Sequence, residues 1–255
     1  MDNKNFRVDP VIYDLQVNWK ARLQKEKNLF LGLVREKKIK RMLDIGCGTG
    51  HHVEFLSRYI PELVGMDPLG ENIKYAEEKI VKSSKVKLIN AGFEDLNNLD
   101  IGKFDLIISV GNTLPLLKTR RKVKLALKHM KKKLNAGGVA VLQFLNFNKK
   151  IVESNNYYQP KSIEYNGRRY ISLKHFEYQR IKTKFDFLFI VLNMDGEVID
   201  FFKNTSYLCT LRKNLFLKMA KNAGYKEISL LGPGGQGEFD QKKHVSLTAL
   251  LHKSG

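Results

Sequence analysis

Residues 42–50, MLDIGCGTG, constrain the fold more than any other stretch of this chain. The apolar pair Met42-Leu43 leads into Asp44, after which glycine alternates at Gly46, Gly48 and Gly50. A second apolar run, Leu63-Val64-Gly65-Met66, ends in another acid, Asp67. A strand, a glycine-rich turn, a helix and a second acid-tipped strand make a nucleotide-binding half-fold. Glycine lets the backbone approach a ligand where a Cβ would clash. The helix after it offers N–H groups that have no intrahelical partner. A carboxylate at the tip of the second strand suits a ribose diol, because it accepts from both hydroxyls.

The spacing separates two cofactors. A dinucleotide turn reads G-x-G-x-x-G, which would need glycine at position 51, where His51 stands. The observed G-x-G-x-G resembles motif I of class I S-adenosylmethionine (SAM)-dependent methyltransferases. The resemblance covers about residues 40–145 and 207–252. It implies backbone contact with the methionine part of SAM from Gly46, Cys47 and Gly48. It also implies a hydrogen bond from Asp44 to nearby amides or to the cofactor amino group, and ribose recognition by Asp67, with Pro68 beside it. Cys47 is expected to be inert, since thiolate chemistry needs a positive niche.

Further motifs extend the resemblance. Ala91-Gly92-Phe93-Glu94-Asp95-Leu96 is similar to the adenine motif often written G-D-A-E-D-L. The family's usual acid aligns with Gly92, so the Phe93 amide and the Glu94 carboxylate are the expected adenine contacts. Residues 104–115, FDLIISVGNTLP, resemble the glycine and sarcosine N-methyltransferase group, where a Gly-Asn pair follows the fourth strand. Val110 would then reach the methionine end of SAM, and Asn112 would face the transferred methyl in a positioning role. The alternative for Asn112 is a turn-forming residue after Gly111. Tyr13-Asp14, Asn18, Trp19 and Arg22 match a Y-D…W…R arrangement found ahead of motif I in related small-molecule methyltransferases. It implies that Arg22 grips the SAM carboxylate with both guanidinium arms, with Tyr13 and Trp19 walling the site. His51 and His52 are consecutive, and consecutive helix residues do not share a face, so a two-histidine metal site is not expected.

Composition bounds the rest. A chain of 255 residues suits one α/β domain with an insertion. Two cysteines, Cys47 and Cys209, are too few for a disulfide framework or a cysteine zinc site. The first residues lack the apolar core of a signal peptide, and no apolar run approaches bilayer-spanning length. A soluble, cytoplasmic protein without membrane association is the expectation. The net charge of +19 admits a nucleic-acid partner. Lysine is spread along the whole chain, however, and asparagine and isoleucine are also abundant, which reads as a compositional bias. The basic stretch 118–133 reads as a helix with one apolar face and a solvated cationic one.

The periodicity predicts a helix over 11–36, strands at 40–45, 62–67, 86–90, 104–110 and 139–144, and helices at 53–59, 72–82 and 121–134. Residues 135–138 read as a helix stop and turn. After residue 150 the period changes. Asn166-Gly167 and Met194-Asp195-Gly196 mark two hairpins, an antiparallel insertion of roughly fifty residues. A helix at 211–223 and strands at 226–231 and 245–252 close the chain, with a glycine-rich loop at 232–237 between them. The expected fold is therefore α/β. It has a Rossmann-like, seven-stranded, mostly parallel sheet with helices on both faces and an antiparallel insertion after strand 5. The expected division is a helical cap (1–39), a SAM-binding core (40–150), the insertion as a substrate lid (151–206) and the completion of the core sheet (207–255).

The resemblance implies methyl transfer from SAM, with S-adenosylhomocysteine as product and no metal, to a small-molecule acceptor, most readily an amine nitrogen. Tyr157, Tyr158, Tyr170 and Tyr178 of the insertion are candidate lining residues. Two alternatives compete: RNA methylation through the basic surface, and a SAM-binding regulatory protein without turnover.

Overall fold

In this computed structural model the described residues are 9–80, 85–148 and 160–255. Seven strands form the main sheet: β1 (Arg41–Ile45), β2 (Glu62–Asp67), β3 (Val86–Asn90), β4 (Phe104–Ser109), β5 (Leu134–Leu145), β10 (Glu227–Leu231) and β11 (Ser246–His252). Their order is β10-β11-β5-β4-β1-β2-β3. Every pairing is parallel except those of β11, which runs antiparallel to both β10 and β5. The order reverses between β1 and β4, where the carboxyl ends of adjacent strands part and leave a crevice for a ligand.

β1, β2 and β4 are almost continuously buried, as strands covered on both faces must be. Alternation still decides which helix each side chain meets. Leu43 and Ile45 join the core packed by α5 (Arg120–Lys133) and α6 (Lys213–Asn222). Met42 joins the core packed by α2 (Trp19–Glu36), α3 (His51–Leu56) and α4 (Gly70–Lys79). On α5 the buried residues are Val123, Ala126, Leu127 and Met130, and the lysines face outward. That is the expected solvated cationic face.

Between β5 and α6 the chain builds a second, four-stranded antiparallel sheet: β6 (Lys161–Tyr165), β7 (Arg168–Glu177), β8 (Lys182–Leu192) and β9 (Val198–Cys209), in that order. Asn166 and Gly167 take φ of 49° and 68° in the first turn, the left-handed pair that matches hairpin twist. α1 (Pro10–Gln16) packs on this sheet, with Ile12 buried against Tyr170, Phe187 and Phe189.

Two elements differ from the periodicity. The single helix expected over 11–36 is broken at Val17, which is extended (φ −104°, ψ 122°). Asn18 then caps α2 by accepting the Ala21 amide at 3.0 Å, a competition for which a short amide side chain is well suited. The stop expected at 135–138 is instead taken into β5, which pairs from Leu134 onward through a register shift opposite Phe104 and Leu106.

Candidate functional site

The glycine turn is held by its own neighbours. The Gly46 and Cys47 amides both donate to the Met66 carbonyl, at 2.7 and 3.0 Å, and the Gly48 amide donates to Asp67 Oδ2 at 3.0 Å. All three amides therefore have partners within the fold. What the turn offers is space and carbonyls. Gly48 has φ of 55°, and a Cβ there would meet nothing within 4 Å. Gly46 is required for another reason: with φ of 76°, a Cβ would collide with the Thr113 methyl. Asp67, buried at the tip of β2, also accepts from the Leu69 amide at 2.9 Å and Asn72 Nδ2 at 3.1 Å. Oδ1 is thereby filled, and Oδ2 retains one lone pair for another donor. Burial, with Asp44 and Asp67 nearby, pushes the Cys47 thiol well above its ordinary range, so its expected inertness has a cause.

The electrostatic centre is Asp44 with Arg22. Asp44 is 1% exposed, and neither carboxylate oxygen has a hydrogen-bond partner. This corrects the expected bond to nearby amides. Burial pushes the carboxyl up to about 8; Arg22 opposes the shift, while Asp67 and Glu26 add to it. Arg22 donates its Nε to Glu26 Oε1 at 3.2 Å, while its Nη2 is buried without a partner. Glu26 is fixed in turn by His52 Nε2 at 2.7 Å. Burial works to raise Glu26, yet the His52 and Arg22 donors outweigh it and hold the carboxyl below its usual range. Burial holds His52 low. The pair is therefore an ionised Glu26 accepting from a neutral His52, and it aims the guanidinium.

A buried cationic donor and a buried carboxylate, each unanswered, are costly unless a ligand completes them. Their complement is one molecule bearing an anion and a cation close together. The α-amino acid end of SAM fits this description: its carboxylate matches Arg22 and its ammonium matches Asp44.

The N-terminal aromatics divide. Tyr13 stands near Arg22, Asp14 and Asp67, and burial raises its hydroxyl pKa against the opposing pull of Arg22. Trp19 stacks on His51 with ring centroids 4.0 Å apart and donates to Asp14 Oδ1 at 3.3 Å. It braces α2 against α3, lines neither of the two cavities described below, and its ring centroid lies 5.0 Å from the Arg22 guanidinium carbon. Asp14 also accepts from Thr49 Oγ1, meets His51 Nε2 at 2.7 Å and pairs with Lys79 at 3.5 Å. The histidines thus fasten the N-terminal helices instead of holding a metal. Among the described residues no group of three or more His, Cys, Asp or Glu side chains could hold a metal ion. Nor is any described helix long and apolar enough to cross a membrane.

The adenine motif is half corrected. Phe93 is buried in the core beside Met66. Glu94 is exposed and pairs with Lys122 of α5 at 2.7 Å. Asp95 accepts the Gly92 amide at 2.8 Å.

Val110 follows β4 in a buried position. Asn112 has φ of 73°, and its Oδ1 accepts the Leu145 amide at 3.1 Å. It is the turn-forming alternative that the geometry shows. Gly111 abuts the guanidinium: a Cβ on it would lie 3.3 Å from Arg22 Nη2.

Gly111 and Asn112 divide two cavities. One, of about 470 Å³, lies between α2 and the ends of β5 and β11 and includes Arg22 and Glu26. The other, of about 390 Å³, lies between α1 and the four-stranded sheet and is lined by Tyr13, Gln16, Lys174, Phe176, Phe185 and Phe187, among others. Of the expected tyrosines, Tyr157 and Tyr158 lie outside the described residues. Tyr170 is buried with Ile12, and Tyr178 packs on the main core. The aromatic wall is built from phenylalanines.

Residues 42–138 match the family described as a methyltransferase domain. A glycine/sarcosine/dimethylglycine N-methyltransferase of Actinopolyspora halophila is 22% identical over 92% of this chain and 40% of its own length. The dTDP-3-amino-3,4,6-trideoxy-alpha-D-glucopyranose N,N-dimethyltransferase of Streptomyces venezuelae is 22% identical over 80% of this chain and 84% of its own. The chain is thus similar to methyltransferases, with N-methyltransferases among its relatives. It spans 25% and 35% of the length of two further curated relatives, each 34% identical. The crystal structure of Streptomyces venezuelae DesVI superposes with a TM-score of 0.77, at 18% identity, over 98% of this chain and all of that one. This likeness shows the fold, a seven-stranded Rossmann-like sheet.

Glu26 and Lys174 escaped the sequence reading, as did the pairing of His52 with Glu26. The i,i+4 spacing of Arg22 and Glu26 was a usable signal. The contact from His52, 26 residues further on, was not.

Proposed function

We propose that this chain transfers a methyl group from SAM to an amine nitrogen of a small molecule. The observation that carries the proposal is the buried pair of unanswered groups, Arg22 Nη2 and the Asp44 carboxylate. SAM, when bound, supplies a methyl group already activated by a positively charged sulfur. The chain's own residues then bind, align and exclude water. Arg22, aimed by Glu26, holds a carboxylate through two parallel hydrogen bonds. Asp44 ionises against an ammonium. Asp67 accepts from one ribose hydroxyl through Oδ2, while Pro68 and the Phe93 backbone flank the adenine. Val110 and the Gly111-Asn112 turn border the methyl position, with Tyr13 closing it from α1.

For displacement at a methyl carbon an amine must be neutral, with its lone pair in line with the departing sulfur, so alignment supplies much of the rate. The four-stranded sheet and α1 act as the substrate lid and keep water from the reacting centre. The choice of nitrogen is supported by the relatives, whose names state N-methylation of glycine, sarcosine or an amino sugar nucleotide.

The test is incubation of the purified chain with methyl-labelled SAM and a panel of amines, phenols, carboxylates and tRNA. Label is expected in an amine product, with S-adenosylhomocysteine formed in equal amount. Label only in tRNA would overturn the proposal.

A further inference from the structure

Residues 172, 174 and 176 of β7 share one face, and opposite them on β8 stand Phe189, Phe187 and Phe185. By alternation this is the apolar face of the sheet, yet its centre is a lysine. Lys174 Nζ lies 5.1 Å from the Phe187 ring centroid. Among the described residues it has no ion pair and no hydrogen bond, and its neighbours in charge are two more cations, Lys161 and Arg22. Burial, Lys161 and Arg22 together pull the ammonium down to about 8. A lysine on an apolar face with no partner is a standing cost, which an anion arriving in the cavity would remove.

Two other donors converge on the same space. Gln16 is 4% exposed; its Oε1 accepts from Ser172 Oγ at 2.6 Å, and its Nε2 has no partner. Lys161 Nζ donates to the Gln16 carbonyl at 2.8 Å and keeps two further N–H groups. No aspartate or glutamate lines the cavity among the described residues. Its volume of about 390 Å³ is within the usual range for a small-molecule site. It touches Gly111 and Asn112.

We infer that this cavity takes an acceptor whose ring-sized apolar body lies on Phe176, Phe185 and Phe187, and whose anionic group is held by Lys174, Lys161 and Gln16. The inference deepens the proposed function and rests on it, since it treats the Gly111-Asn112 turn as the place where the methyl is delivered. Lys174 is assigned to binding and orientation, not to proton transfer.

The experiment is calorimetry on the full chain saturated with S-adenosylhomocysteine. The probes are phenylacetate and phenyl phosphate, with phenylacetamide as their uncharged counterpart. Wild type should bind at least one anion about tenfold more tightly than the amide, a difference of about 1.4 kcal/mol. Lys174→Met should abolish that preference, while Lys174→Arg, which keeps the charge but cannot act as a base, should retain it. The better of the two anions tells a carboxylate acceptor from a phosphorylated one. Equal binding of anions and amide, or an unchanged preference in Lys174→Met, overturns the inference. So does loss of the preference in Lys174→Arg. S-adenosylhomocysteine affinity, measured first, should be the same in all three proteins. Its absence in wild type would overturn the cofactor reading and this inference with it. Normal affinity without an anion preference overturns this inference alone.

Discussion

Replacing Asp44 with asparagine should make the ligand-free protein more stable and the cofactor site weaker. In the folded chain the Asp44 carboxyl titrates at about 8, whereas in the unfolded chain it titrates near 4, and each unit of difference is worth about 1.4 kcal/mol. The folded-state value is raised. The carboxyl's contribution is therefore fully present below about pH 4 and is lost progressively as pH rises to about 8. The full difference amounts to ~6 kcal/mol at pH 8 or above. Relaxation around a buried charge reduces such figures, so a gain of about 3 kcal/mol for Asp44→Asn at pH 8 is the working magnitude. For a chain of this length that corresponds to a rise in Tm of about 6–12 °C. The assay is thermal and urea unfolding between pH 5 and 8.5. Wild type should lose stability across the window, and Asp44→Asn should show a flatter profile. Calorimetry on the same samples should find S-adenosylhomocysteine bound about 10- to 100-fold more weakly by the variant, since a hydrogen bond to a charged group is lost. The reasoning is refuted if the variant is no more stable at pH 8 and keeps the wild-type slope, or if its affinity is unchanged.

Other outcomes follow from the same geometry. Arg22→Lys should weaken S-adenosylhomocysteine binding by about tenfold or more, because one ammonium cannot serve Glu26 and a bidentate carboxylate together; calorimetry reads this directly. Gly46→Ala should cost about 2–4 kcal/mol through its positive φ and the collision with Thr113. Much of that should be recovered in a Thr113→Ser background, which removes the methyl and keeps the hydroxyl bonded to the Val110 carbonyl at 3.1 Å; urea unfolding of the four proteins of the cycle checks the coupling. Cys47, buried and with a thiol pushed well above its ordinary range, should resist maleimide in the folded protein at pH 8 and react on unfolding, as mass spectrometry would record.

Much of the fold was legible because its signals are local. The bounds expected for β2 and β3 are those observed, since turn residues and acids punctuate both. The seven-stranded, mostly parallel sheet followed from the resemblance to class I methyltransferases, while the strand order became visible only in the structure. The site was legible only where one residue's chemistry sufficed. Arg22 and Asp44 were picked out, but the reason they matter, that each lacks a partner, is a property of packing. The pairing of Glu94 with Lys122 on α5 was not legible, because the two are distant in sequence. Nor was the stacking of Trp19 on His51, which lies 32 positions along. Lys174 is the instructive case. A lysine at the centre of an alternating phenylalanine face breaks the strand pattern, and such a break marks function more often than folding.

The central claim is that Arg22 and Asp44 together recognise the amino acid end of SAM. Calorimetry comparing S-adenosylhomocysteine with 5′-methylthioadenosine, which has the same nucleoside and no amino acid, tests it most directly. Wild type should prefer S-adenosylhomocysteine by about 100-fold or more, the worth of two charge-assisted contacts, and the preference should collapse in Arg22→Met and in Asp44→Asn. Equal affinity for the two ligands, or a preference that survives both substitutions, would contradict it.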